Sequence, residues 1–132
     1  MHAVIRLPRP ISTNSLFANV KGRGRVCTKA YNQWKWQAKA KLSDQKPLPK
    51  FAEPVQIALL VGEKGVGRMD ADNAVKAYLD ALVAANVIPD DNRNVIRRIV
   101  VEWVAGVEGC TAHIRNADAP EAVSIPILGE VS

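Results

Sequence analysis

Residues 55–107 read VQIALLVGEKGVGRMDADNAVKAYLDALVAANVIPDDNRNVIRRIVVEWVAGV. The opening VQIALLVG (55–62) is an almost unbroken apolar run, which predicts a strand central in a sheet. EKGVGR (63–68) is a turn. From about Asp72 to Asn86 the apolar residues Val75, Tyr78, Leu79, Leu82 and Ala85 recur at three- and four-residue steps, which predicts a helix. VIPDDNRN (87–94) is a proline-containing turn. VIRRIVVEWVAGV (95–107) is a long strand, and CTAHIRN (110–116) is expected to pair with it across a turn at Gly109.

Outward from this stretch the pattern continues. HAVIRL (2–7) alternates as a short strand. PRPISTNS (8–15) has the composition of a loop, and its prolines prevent the strand from continuing. NVKGRGRVCT (19–28) alternates basic residues with glycine and reads as a loop or hairpin tip, with Phe17 in the loop before it. Thr28 is placed to cap a helix over 29–45, whose apolar stripe is Tyr31, Trp34, Ala38 and Leu42. Trp34, Trp36 and Trp103 are assigned to packing. The expected order β–loop–α–β–α–β–β defines an α+β fold: one domain, a small mixed sheet backed by two helices. It should span residues 1–116, with 117–132 an extended or flexible tail.

Composition narrows the class. The chain has 132 residues, 48% apolar and 23% charged, as ordinary globular domains do. No apolar run is long enough for a membrane span, and MHAVIRLPRP lacks the features of a signal peptide, so a cytoplasmic protein without membrane association is expected. Cys27, Cys110, His2 and His113 are dispersed and do not form a zinc pattern. Charge is divided unevenly. Residues 1–50 hold eleven Lys or Arg and one acid, Asp44; residues 51–132 hold seven basic residues and twelve acids. A basic half beside an acidic half suggests a polyanion-binding surface next to a cation-binding site.

The acids concentrate in MDADN (69–73) and PDDN (89–92). On a helical wheel Asp72, Asn73, Lys76 and Asp80 share one polar face. Carboxylates so close repel unless a cation joins them. Hard cations such as Mg²⁺ take carboxylate oxygens and can activate water against a phosphodiester, while a nearby ammonium stabilises developing negative charge. A purely structural reading uses the same residues. Asp70 would cap the helix and Asp72 favour its dipole, Lys76 and Asp80 would form an i, i+4 pair, and PDDN would be a turn. The acids of the turn can return toward Asp70 and Asp72 only if 95–107 runs beside 55–62 in a suitable direction.

The segment RMDADNAVKAYLDALVAANVIPDDNRNV resembles the RusA family of Holliday junction resolvases. The family pattern is D-x-D-N, a lysine, a D-A-L stretch and a D-D turn after a short helix. Asp70, Asp72, Asn73, Lys76, Asp80-Ala81-Leu82 and Asp90-Asp91 follow it in order. The LPRPISTNSLF region, the basic glycine loop and the first helix extend the likeness over roughly residues 4–116.

The resemblance implies a small homodimeric endonuclease, dependent on Mg²⁺ or Mn²⁺ and often phage- or prophage-encoded. Such enzymes nick opposed strands of four-way junction DNA symmetrically. It implies metal-ligand roles for Asp70, Asp72 and Asp91, and the catalytic lysine role for Lys76. The family places a basic residue directly before the first aspartate; here Met69 holds that position and Arg68 stands one earlier. Lys21, Arg23, Arg25 and Lys29, with Arg68, are the expected phosphate contacts. The rival class is a non-catalytic DNA-binding module. A nucleotide-sugar transferase, which can also carry D-x-D, fits the basic half less well.

Overall fold

The computed structural model describes residues 1–117. Six strands and two helices follow one another: β1 (His2–Leu7), β2 (Phe17–Val20), β3 (Gly24–Cys27), α1 (Lys29–Ser43), β4 (Val55–Gly62), α2 (Val75–Ala84), β5 (Ile96–Val104) and β6 (Cys110–Asn116). Four strands form a mixed sheet in the order β1-β6-β4-β5, and β2 and β3 make a separate hairpin. The α+β expectation holds: one small domain, one mixed sheet and two helices.

The apolar run of β4 is central, between β6 and β5. Val55, Ile57, Leu59 and Val61 are buried on one face. They share a core with Ile5 and Leu7 of β1, Ala112 and Ile114 of β6, and the inward stripes of both helices. Tyr31, Trp34, Ala38 and Leu42 are the buried residues of α1, and Thr28 caps it by accepting from the Tyr31 amide at 3.1 Å. Both features match the sequence pattern.

The expected pairing of 95–107 with 110–116 is overturned. β5 lies parallel to β4 on one side, and β6 lies antiparallel to β4 on the other. The intervening turn straddles the end of β4 instead of closing a hairpin. Glu63 donates to the Val104 carbonyl, Lys64 to Val107 and Gly62 to Gly109, at 2.7–2.9 Å. Gly62 lies so close beneath this turn that a Cβ there would run into the Val107 carbonyl. A parallel β4–β5 pair needs a crossover, and α2 supplies it.

Two further boundaries differ. The predicted helix over 72–86 divides into a 3-10 turn (Ala71–Ala74) followed by α2 (Val75–Ala84), and Asn86 ends the segment with φ 62°. Asn tolerates that left-handed conformation better than most residues. Phe17 is not in a loop. It opens β2, pairs with Cys27, and packs edge-on against Tyr31. The expected tail lies outside the described residues, except Ala117, whose amide bonds to the Pro54 carbonyl at 2.8 Å.

Candidate active site and nucleic-acid surface

The acidic segment leaves β4 through the turn and enters the 3-10 turn at Asp70. Asp70 has the extended backbone of an N-cap (φ −78°, ψ 148°), but its carboxylate makes no capping hydrogen bond. Ala74, which precedes α2, makes none either. Side-chain capping therefore does not account for these acids. Asp70 and Asp72 are both exposed. The turn that carries them is pinned from the opposite side, where Thr13 Oγ1 donates to the Asn73 carbonyl at 3.1 Å.

Lys76, in the first turn of α2, is held by two carboxylates. Its Nζ lies 3.0 Å from Asp80 Oδ1 and 3.8 Å from Asp91 Oδ2. The second oxygen of Asp80 accepts from the Tyr31 hydroxyl of α1 at 2.9 Å. One carboxylate thus ties the lysine to both helices. The hydrogen bond to Asp80 is the largest influence on Lys76 and outweighs partial burial, so its pKa is raised and its positive charge is favoured. Burial, then the Asp80 hydrogen bond, raises the Tyr31 pKa strongly, so the phenol remains a neutral donor.

The two acids of the downstream turn divide their work. Asp90 folds back on the turn, accepting from the Asp91 amide at 2.7 Å and from Asn92 Nδ2 at 2.9 Å. The amide bond in particular holds its carboxyl below the usual range. Asp91 is left to face Lys76. The condition set by the sequence is met to that extent: β5 runs beside β4, and the turn before it brings Asp91 to α2.

Between α1 and α2 runs a groove of about 810 Å³. Lys35, Lys39 and Lys46 line it from the α1 side and beyond, and Lys76, Asp80, Asp90 and Asp91 from the α2 side. Asp70 and Asp72 are not among its lining residues. Among the described residues, no three His, Cys, Asp or Glu side chains are grouped closely enough to hold a metal ion. The donor chemistry of Asp70, Asp72 and Asp91 suits a hard divalent cation, but the three are not drawn together here.

The expected phosphate contacts are all exposed: Lys21 and Arg23 at the hairpin tip, Arg25 on β3, Lys29 at the start of α1, and Arg68 before the acids. Arg25 stacks its guanidinium 3.9 Å from the Phe17 ring centroid. None of these five lines the groove; its cations are Lys35, Lys39, Lys46 and Lys76.

Three residues acquire roles that the sequence did not assign. Tyr31 is more than core, because its hydroxyl reaches Asp80 across the helices. Asp80 is more than half of a surface pair. No local pattern reveals that contact, since it joins residues 49 positions apart. Trp36, expected to pack, is instead 71% exposed. The helical wheel carried the signal, for Trp36 lies opposite the buried stripe. Trp34 is buried and Trp103 half-buried, as expected.

The groove thus sets the lysines of its α1 side against Lys76 and three carboxylates on its α2 side. In a comparison with known families, residues 8–115 match Endodeoxyribonuclease RusA, most of the 132-residue chain. The chain belongs to the RusA family of endodeoxyribonucleases. No curated protein matches it.

Proposed function

We propose that this protein is a metal-dependent endonuclease that resolves four-way (Holliday) junction DNA by paired, symmetric phosphodiester hydrolysis. The observation that carries this reading is Lys76, held as an ammonium between Asp80 and Asp91 in a groove with a basic wall. Family membership gives the nuclease class.

Asp70, Asp72 and Asp91 would hold Mg²⁺ or Mn²⁺. Such an ion, when bound, supplies charge relief on phosphate and a more acidic water. The chain's own contribution is placement. Tyr31 and Asp80 fix the ammonium of Lys76 where it can meet a phosphate oxygen as negative charge builds. Asp90 shapes the turn that presents Asp91. Lys35, Lys39 and Lys46 neutralise strand phosphates entering the groove, while Lys21, Arg23, Arg25, Lys29 and Arg68 extend the contact.

Two opposed cuts require two sites related by a two-fold axis, so we infer a homodimer. Residues 1–116 would be the nuclease domain and 117–132 an appended tail. No described helix is long and apolar enough to cross a membrane. A DNA substrate, with a phage or prophage origin, would place the work in the cytoplasm.

A second reading, a DNA-binding module without catalysis, gains support from one observation: among the described residues no three acids are grouped for a metal. Incubating the protein with a synthetic four-way junction and Mg²⁺ or Mn²⁺ separates the two. Paired nicks support the nuclease. Binding without cleavage in either ion supports the module.

A further inference from the structure

We propose that Trp36, on the outward face of α1, stacks on a base exposed at the branch point, so that it helps distinguish a junction from duplex DNA. The inference rests on the junction-nuclease reading and names a determinant of its substrate choice.

The position is unusual. Trp36 is 71% exposed, while the buried residues of the same helix are Tyr31, Trp34, Ala38 and Leu42. At 100° per residue, Trp36 points about 160° away from both Trp34 and Ala38. The core has no use for this indole. A single exposed apolar side chain needs no explanation in itself. Its neighbours are what make this one informative.

α1 carries Lys29, Lys35, Lys39 and Lys41 and no acid. The Lys39 ammonium stands 5.5 Å from the Trp36 ring centroid. Lys39 also lines the groove that holds Lys76 and Asp91. The indole does not itself line the groove, but Lys39 links the two, touching the ring on one side and the groove on the other. A wholly apolar partner would leave those lysines to be desolvated without counter-charge. Nucleic acid offers both complements, phosphate for the lysines and a flat π-face for the ring.

An intact duplex hides its base faces within the stack. A branch point interrupts that stack and exposes the faces of its terminal pairs. A ring that contributes by stacking therefore gains more from the junction than from the duplex. Lys39 would add a phosphate contact common to both.

Binding of wild type, Trp36→Ala and Trp36→Phe should be measured on a four-way junction and on a duplex of equal length, in EDTA to prevent cleavage. Sedimentation would follow the oligomeric state, and circular dichroism the fold. We expect Trp36→Ala to weaken junction binding by about 5- to 150-fold, the range for loss of one stacked base. Duplex binding should change less than about twofold, and Trp36→Phe should restore most of the loss. Unchanged junction affinity in Trp36→Ala overturns the inference alone, provided wild type binds and cuts junctions. So does an equal loss on duplex, or a loss that coincides with a smaller oligomer, which would make Trp36 a subunit contact. A wild-type protein that does not bind junctions overturns the functional reading and this inference together.

Discussion

Lys76 donates to Asp80 one turn further along α2, at 3.0 Å, and that bond sets the direction of its ammonium. The bond raises the pKa of Lys76, so the charged form is favoured in the folded protein. Its contribution to stability is complete below the ordinary lysine value and is lost as pH rises through the raised one. An exposed i, i+4 pair of this kind is worth only about 0.3–0.5 kcal/mol. Its importance is therefore positional. Asp80→Asn should lower the Lys76 pKa in an NMR titration and, because it also takes the charge from the hydrogen bond that Tyr31 donates, lower thermal stability modestly. A Lys76 titration identical in both proteins would show that Asp80 does not tune it.

Tyr31→Phe keeps the buried ring and removes the hydroxyl that donates to Asp80. A hydrogen bond to a charged group typically contributes about 1.5–3 kcal/mol, and this half-exposed one should fall near the lower end. Urea denaturation should record that loss. With Asp80 less firmly held, kcat on junction DNA should fall while KM changes little. A fall in KM-related binding alone would point to a purely structural tyrosine.

Divalent ions should stabilise the protein through its carboxylates. Thermal shift in increasing Mg²⁺ or Mn²⁺ should show a rise in Tm that is reduced by Asp70→Asn, Asp72→Asn and Asp91→Asn. Without the ion the three should differ. Asp70 and Asp72 are exposed, so their loss should cost within about 0.5 kcal/mol. Asp91→Asn also removes the more distant of the two carboxylate partners of Lys76. A Tm that rises equally in all four proteins would place the ion elsewhere.

The hairpin makes a separable electrostatic prediction. Replacing Lys21, Arg23 and Arg25 together by Ala should weaken junction binding at low salt. If all three contact phosphates, the slope of log K against log salt should flatten by about 2.7, at 0.9 per phosphate contact. An unchanged slope would remove the hairpin from the interface.

Much of the architecture was legible because it depends on local periodicity. The apolar run of β4 announced a central strand, and the α1 stripe from Tyr31 to Leu42 announced its buried face. Thr28 announced the cap. Sheet pairing was less accessible. The glycine-containing turn at 105–109 looks like a hairpin locally, yet its amide and carbonyl partners lie on the far end of β4. The acidic site was half legible. Spacing placed Lys76 beside Asp80, and the family resemblance selected Asp91 over Asp90. The Tyr31–Asp80 bond depends on how α1 meets α2, and no single segment encodes that meeting. Trp36 was legible from its place opposite the stripe, but its residue type suggested packing.

The central claim is that the acids of the D-x-D segment, together with Asp91 and Lys76, cut DNA. The direct measurement is cleavage of a synthetic four-way junction in Mg²⁺ or Mn²⁺ by wild type and by Asp72→Asn, with binding followed in parallel. The account predicts symmetric paired nicks by wild type and, for Asp72→Asn, retained binding with cleavage reduced at least about 100-fold, the scale of losing one key transition-state interaction. Equal cleavage by both proteins, or tight binding by wild type without cleavage in either ion, would contradict it.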